Sequence, residues 1–403
     1  MKILMISDVY FPRVNGVSTS ISTFRRELMS LGHEVHLVAP DYYVPTEHDP
    51  HVTRVPSFFL PLDPEDRMMK MGGARKLCLE LHNRHQFDLI HIQTPFVAHY
   101  LGVWLSERLG IPRVESYHTF FEEYLYHYLP VVPRGLMRFV ARWFSRSQCN
   151  EVHGLVVPSA PMLEVLQQYG IVTRAEVIPT GLEPEQFELG DGPSFRVSYD
   201  IPQDRPVLLF VGRVAHEKNI GFLLRMMTRV LPQRQDVLLL IAGEGPAREA
   251  LERDAVKLGI QDNVRFIGYL DRQKELRSCY RCADIFVFSS RTETQGLVLL
   301  EAMAQAVPLV ATAELGARSV LHEGEGVHIA PEDEEVFASR VLALLGNDDE
   351  RRALAGQGYR YAHQWSAREM AQRLVAFYQS VIERGCNASA SSQRRSMLPW
   401  LRY

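Results

Sequence analysis

Glu293 and Glu301, separated by seven residues, carry the strongest chemical signal in the chain. They fall in SSRTETQGLVLLEAMAQAVPLVAT, where an apolar run ends at Ser290, a short polar loop follows, and Gly296 opens a helix. Leu297, Val298, Leu299, Leu300, Ala302, Met303 and Ala304 make that helix apolar on nearly every face, so it must be buried. A carboxylate inside it, Glu301, is costly without partners. The hydroxyls of a ribose diol would serve, and so would an Arg across the core; spacing alone leaves both open. The backbone N–H groups of Gly296 and Leu297 suit an anionic phosphate.

FVGRVAHEKNIGFLL places Arg213 and Lys218 in a loop between a strand and a helix, with Gly212 allowing close backbone approach. The chain has only six Lys, at positions 2, 70, 76, 218, 257 and 274, among 44 basic residues, so a Lys in such a loop stands out. Two cations at a strand's carboxyl end can grip a diphosphate. Alone, the loop reads more readily as a solvated charged turn; beside the Glu293/Glu301 segment the binding reading is stronger. The first loop, DVYFPRVNGVSTS, brings Asn15-Gly16-Val17 to a helix start, again compatible with phosphate. Gly243-Glu244-Gly245 begins a dinucleotide-type glycine pattern, but Arg248 stands where its third glycine belongs, which argues against a nicotinamide dehydrogenase. His118 ends RVESYH and is either a satisfied strand-end histidine or a group facing a substrate.

The elements that must hold these residues alternate between strand and helix. Strands are expected at 2–7, 34–40, 87–92, 113–118, 153–159 and 175–181, then at 206–212, 237–243, 263–268, 284–290 and 307–312. Helices are expected at 219–231, 246–258, 272–282, 297–305, 332–346, 348–362 and 366–384. The turn-rich stretch EPEQFELGDGPSFRVSYDIPQDRP separates two such runs. The fold class is therefore α/β, with two doubly wound parallel sheets facing across a cleft, and ligands expected at the carboxyl ends of the strands. The domains are expected at 1–185 and 186–365, followed by a helix at 366–385 that packs back on the first domain and a flexible basic-aromatic tail at 386–403.

Composition narrows the class. A chain of 403 residues that is 46% hydrophobic and 23% charged is not a disordered protein, and a net charge of −4 argues against nucleic acid as a partner. No run approaches the roughly 20 apolar residues of a membrane span, and Asp8 interrupts KILMIS before a signal core forms, so a cytoplasmic location is expected. Five scattered Cys make no disulfide framework, and Cys279-x-x-Cys282 lacks the second pair or histidine of a zinc set.

In this combination and order, the chain resembles a retaining glycosyltransferase of the GT-B fold, family 4, over most of residues 1–380. The resemblance implies that Glu301 holds the ribose hydroxyls of a nucleotide sugar, and that Glu293, with the backbone of Thr294, Gly296 and Leu297, holds the donor sugar. Arg213 and Lys218 would neutralise the leaving diphosphate, and Gly16 would let the first loop close over the phosphates. Gly268-Tyr269-Leu270 is similar to the stretch that contacts the nucleobase, so Tyr269 and Leu270 are donor-site candidates, and His118 would face the transferring sugar. A UDP-hexose is favoured over a GDP-hexose. Because Glu293 is assigned to sugar hydroxyls, same-face substitution is expected rather than double displacement through a carboxylate nucleophile. No Asp-x-Asp stands near the donor segments, so no obligatory metal or other cofactor is implied.

YHYLPVVPRGLMRFVARWFSRSQCN repeats Arg134, Arg138, Arg142 and Arg146 beside Leu136, Met137, Phe139, Val140, Trp143 and Phe144, with no acid between Glu123 and Glu151. On a helix this is a basic amphipathic stripe, suited either to an anionic membrane surface or to core packing with a solvated Arg face. Arg67, Lys70, Arg75 and Lys76 among methionines, and Arg394, Arg395, Trp400 and Arg402 in the tail, are further basic-apolar stretches. With YHTFFEEYLYHYLP before it, the stripe resembles family members that glycosylate lipids. A membrane lipid is therefore the expected acceptor and the inner membrane face the expected location. A soluble or polymeric carbohydrate acceptor, or a non-catalytic lipid-binding protein, are the alternatives. Oligomeric state is not legible.

Overall fold

A computed structural model describes residues 1–44, 49–60, 63–118, 134–271 and 275–396. These residues group into two compact units. The first contains the described residues up to 118, then 135–180, and 368 onward; the second contains Gly181–Ala367.

The first unit opens with β1 (Lys2–Ile6), β2 (Glu34–Pro40) and β3 (Val52–Val55). A separate antiparallel pair follows, β4 (Ser57–Leu60) and β5 (Asp63–Met69). The main sheet then continues with β6 (Leu89–Ile92), β7 (Arg113–Ser116), β8 (Gly154–Val157) and β9 (Ala175–Val177). Its seven strands are all parallel, in the order β3-β2-β1-β6-β7-β8-β9. β6, β7 and β8 are buried along their whole length, as expected of parallel strands covered by helices on both faces.

The second unit holds β10 (Val207–Val211), β11 (Leu238–Ala242), β12 (Val264–Gly268), β13 (Ile285–Phe288), β14 (Leu309–Ala311) and β15 (Val327–Ile329). They form a parallel sheet of six in the order β12-β11-β10-β13-β14-β15. The chain is thus α/β with two doubly wound sheets, as the alternation of runs implies. β3, β15 and the β4–β5 pair were not anticipated, because they are short or polar and carry little periodicity.

Both sheets reverse their strand order once. In the first, successive strands run outward from β1 to β3 and the chain then returns to β6 on the other side of β1; in the second, β10 to β12 run outward and β13 returns beside β10. At such a switch point two adjacent strands send their following loops to opposite faces, leaving a crevice at their carboxyl ends.

The helix Ala367–Ser396 supplies Met370, Ala371, Leu374, Phe377, Tyr378 and Val381 to the core of the first unit, together with Ile3, Met5, Phe24 and Val156. Their spacing is that of a single helical stripe. Tyr378 Oη is hydrogen-bonded with His91 Nδ1 at 2.6 Å, and Arg373 donates to the carbonyl of Val177 at 2.6 Å. The helix runs past the end expected at 385. Gly385 weakens it by about 1 kcal/mol relative to Ala without ending it, and no proline follows until Pro399. Residues 397–403, with Trp400 and Arg402, lie outside the described residues.

Candidate functional site

The switch point of the second sheet brings two distant loops together. After β10 come Gly212, Arg213 and a 3-10 turn, His216–Lys218; after β13 comes the segment from Ser289 to Gly296. Lys218 Nζ donates to Glu293 Oε2 at 2.7 Å, and about a fifth of each side chain remains exposed (20% and 19%). Arg213 lies 3.7 Å from Glu217.

Asn219, at φ 55° in the left-handed region, fastens this meeting. Its Nδ2 donates to the carbonyl of Ser289 at 3.2 Å, while Ser289 Oγ donates to the carbonyl of Asn219 at 3.1 Å. Thr292 Oγ1 adds a bond to the carbonyl of Glu217 at 3.4 Å. Gly316 backs the Glu293 loop from below. Its N–H donates to the Glu293 carbonyl at 2.8 Å, and a Cβ there would stand 2.0 Å from the Thr294 carbonyl oxygen.

Gly243 and Gly245 do the same for the Arg213 loop. A Cβ on either would fall 2.0 Å from the Gly212 oxygen or 2.4 Å from the Val214 oxygen, and Val214 N–H donates to the Glu244 carbonyl at 2.9 Å. The structural use of this glycine pair is close packing of backbones at adjacent strand ends. Tyr269, half-exposed, and Leu270 follow β12 on the same edge. The site residues of this unit therefore share the carboxyl edge of four neighbouring strands.

Gly296, at φ 89°, is the N-terminal flank of the helix Leu297–Ala304. Within that helix Glu301 is 3% exposed. Its Oε2 accepts from Tyr280 Oη at 2.7 Å and its Oε1 from Gln186 Nε2 at 3.1 Å. Two neutral donors, a tyrosine hydroxyl and a glutamine amide, thus hold this carboxylate. Gln305 locks the same helix to the 186–190 segment through three backbone bonds.

Gly16 and His118 belong to the first unit. Gly16 is the first residue of the helix Gly16–Ser30, capped by Asn15 Oδ1 accepting from Ser18 N–H, and a Cβ on Gly16 would meet nothing within 4 Å. His118 lies beyond the end of β7 with Nε2 3.2 Å from Gln93 Oε1; burial pushes its pKa down to about 4. At the switch point of this sheet, Asp8 after β1 accepts from Thr94 Oγ1 at 2.8 Å and from Ala98 N–H at 3.0 Å. Burial raises the Asp8 carboxyl to about 6 against the opposing pull of those hydrogen bonds. Asp8, Gln93, Thr94, Asn219 and Gly316 were not singled out from sequence. Asp8 registered only as a break in an apolar run.

The helix Arg134–Asn150 has one buried face and one exposed face. It buries Met137, Ala141, Ser145, Gln148 and Cys149, and turns outward Arg138, Arg142 and Arg146 together with Leu136, Val140, Phe139 (67% exposed) and Trp143 (63%). The Arg134 side chain and YHTFFEEYLYHYLP after its first two residues lie outside the described side chains. In the β4–β5 pair, the exposed Phe59 ring stacks under Arg67 at 3.5 Å. Among the described residues no helix is long and apolar enough to cross a membrane. Cys279 and Cys282 are buried in the second core, where desolvation pushes the Cys279 thiol up.

Two parallel-sheet units of this kind define a GT-B glycosyltransferase. Residues 14–186 match the family described as Glycosyltransferase Family 4, and residues 192–361 match Glycosyl transferases group 1. The chain belongs to family 4 of the glycosyltransferases. It is 34% identical over 322 residues to an alpha-monoglucosyldiacylglycerol synthase from Streptococcus pneumoniae, covering 77% of this chain and 71% of that one. It is 27% identical to a GDP-mannose-dependent alpha-mannosyltransferase from Mycobacterium tuberculosis, over 97% and 99% of the two chains. The fold matches sucrose-phosphate synthase from Thermosynechococcus elongatus with a TM-score of 0.79 at 20% identity, covering 95% of this chain and 99% of that one.

Gly316→Ala is expected to displace the Glu293 loop by about 1 Å or more and to lower kcat/KM by about 10- to 100-fold, since misplacements of that size are costly at a reacting site. Steady-state kinetics beside a melting curve would separate that from global unfolding. His118 supplies a pH test. Its folded pKa lies below the unfolded value, so its contribution to stability is present above pH 6.5 and is lost as pH falls toward 4. Between pH 7 and 5 the loss is about 2 kcal/mol, and urea unfolding of His118→Gln should show a correspondingly flatter pH dependence.

Proposed function

We propose that this glycosyltransferase moves a hexose from a nucleoside diphosphate sugar to a hydroxyl of a membrane lipid of the diacylglycerol class, keeping the donor's α configuration. The observation that carries the acceptor reading is the helix Arg134–Asn150, which presents guanidinium groups and large apolar side chains on one outward surface. Guanidinium groups seek lipid phosphates, while Trp and Phe enter the headgroup boundary. The name of the pneumococcal relative, a glucosyldiacylglycerol synthase, points the same way. A UDP-hexose is placed ahead of a GDP-hexose as donor, although the mycobacterial relative's name specifies GDP-mannose.

In this reading Arg213 and Lys218 compensate the charge that grows on the departing diphosphate, the largest electrostatic demand of the reaction. The bond from the anomeric carbon to the phosphate oxygen breaks, the acceptor oxygen bonds on the same face, and the leaving phosphate takes the acceptor's proton. Glu293 holds donor-sugar hydroxyls with the Thr294–Leu297 backbone, and its ion pair with Lys218 fixes sugar and diphosphate contacts relative to each other. Glu301 accepts from the ribose diol, Tyr269 and Leu270 border the base, and Gly16 and His118 are assigned to the phosphates and the transferring sugar. The peripheral location on the inner membrane face follows from the Arg helix. A soluble carbohydrate acceptor would leave that outward surface without a use.

The reading is tested with vesicles. Each Arg at an anionic surface contributes about 1 kcal/mol, so Arg138→Gln with Arg142→Gln should weaken sedimentation with anionic vesicles by about 10-fold or more. High salt should do the same to the parent. Activity on diacylglycerol in those vesicles should fall in parallel while donor affinity is kept. Product from an α-linked UDP-hexose should show an α anomeric proton by NMR. A β-linked product, or a parent that ignores anionic vesicles and diacylglycerol alike, would contradict the proposal.

A further inference from the structure

At the amino edge of the first sheet, far along the strands from the carboxyl-end loops, three metal-ligating side chains converge. β2 begins with Glu34 and His36, which its period of two places on one face, and the helix Met71–His85 ends there with His85. Glu34 Oε1 lies 2.6 Å from His85 Nδ1 and 3.1 Å from His36 Nε2, and the three ligand atoms all fall within 4.8 Å of one another. Bonds of about 2.0–2.2 Å to a tetrahedral ion set ligand atoms about 3.3–3.6 Å apart, so the Glu34–His85 contact must lengthen by about 0.7–1 Å to admit one.

A second observation concerns the imidazoles. His36 is 4% exposed, and its Nδ1 is buried with no hydrogen-bond partner among the described residues. His51, just before β3, has its ring centroid 4.9 Å from that of His36, and its Nδ1 is buried in the same condition. The rings of His36 and His85 are 4.0 Å apart. His36 and His51 each keep a buried ring nitrogen without a partner among the described residues, and His36 and His85 compete for one Glu34 oxygen, a poor arrangement for side chains that only hydrogen-bond. As a donor set for a borderline cation they are well matched.

We propose that Glu34, His36 and His85 bind one divalent transition-metal ion, of the class typified by zinc, with the His51 ring packed edge-on against His36. The ion would tie the start of β2 to the end of the helix Met71–His85 and so brace the first unit. Its place at the amino edge separates it from the transfer reaction.

The test uses the full chain, stripped with a chelator, dialysed against zinc at low micromolar concentration and assayed by mass spectrometry of bound metal and by melting temperature. The expected result is one equivalent bound with a rise in melting temperature, both lost in His85→Gln and in Glu34→Gln. His85 is partly exposed at a helix end, so its variant keeps the fold and reports on binding alone. His328, which touches Glu323 and Glu350 at 3.0 Å each, is the control: His328→Gln should keep the equivalent. No zinc uptake by the parent, or an equivalent retained in His85→Gln, would overturn the proposal.

Discussion

A parallel sheet that reverses its strand order leaves two neighbouring strands whose loops leave in opposite directions, and everything chemical in the second unit depends on what fills the gap. Here it is the contact of Lys218 with Glu293 at 2.7 Å. One charge follows β10 and the other follows β13, strands that are neighbours in the sheet although these residues stand 75 apart in the chain. Asn219, Ser289 and Thr292 stitch the two loops, and Gly243, Gly245 and Gly316 give them room to approach. The first unit repeats the device at its own switch point, where Asp8 meets Thr94.

This geometry explains why some of the site was legible in the sequence and some was not. Parallel strands buried on both faces read as apolar runs, so the central strands of both sheets could be located from composition alone. The Glu293–Glu301 segment was visible because a carboxylate in an all-apolar helix has few explanations. Strand order is not written in periodicity, however, and the pairing of Lys218 with Glu293 follows only from that order. The supporting residues were harder still. Gly316 and Asn219 act through backbone approach and a left-handed φ, and Asp8 through burial at a helix start; none makes a local pattern.

The same limit applied to the Arg helix. Its sequence suited either an anionic membrane surface or core packing with a solvated Arg face, because Arg and large apolar residues share the stretch. In the structure Ala141, Ser145 and Gln148 take the buried side with Met137 and Cys149, and Trp143 and Phe139 lie outside.

The central claim is that Lys218 and Glu293 divide the donor between them, one gripping the diphosphate and the other the sugar. Calorimetric titration of UDP and of a UDP-hexose into the parent, Lys218→Ala and Glu293→Gln tests it directly. Loss of a charge-assisted hydrogen bond of about 1.5–3 kcal/mol predicts that Lys218→Ala weakens both ligands by about 10- to 100-fold, whereas Glu293→Gln spares UDP and weakens only the additional affinity that the hexose provides. Equal effects of the two variants on UDP alone, or unchanged binding in both, would contradict the account.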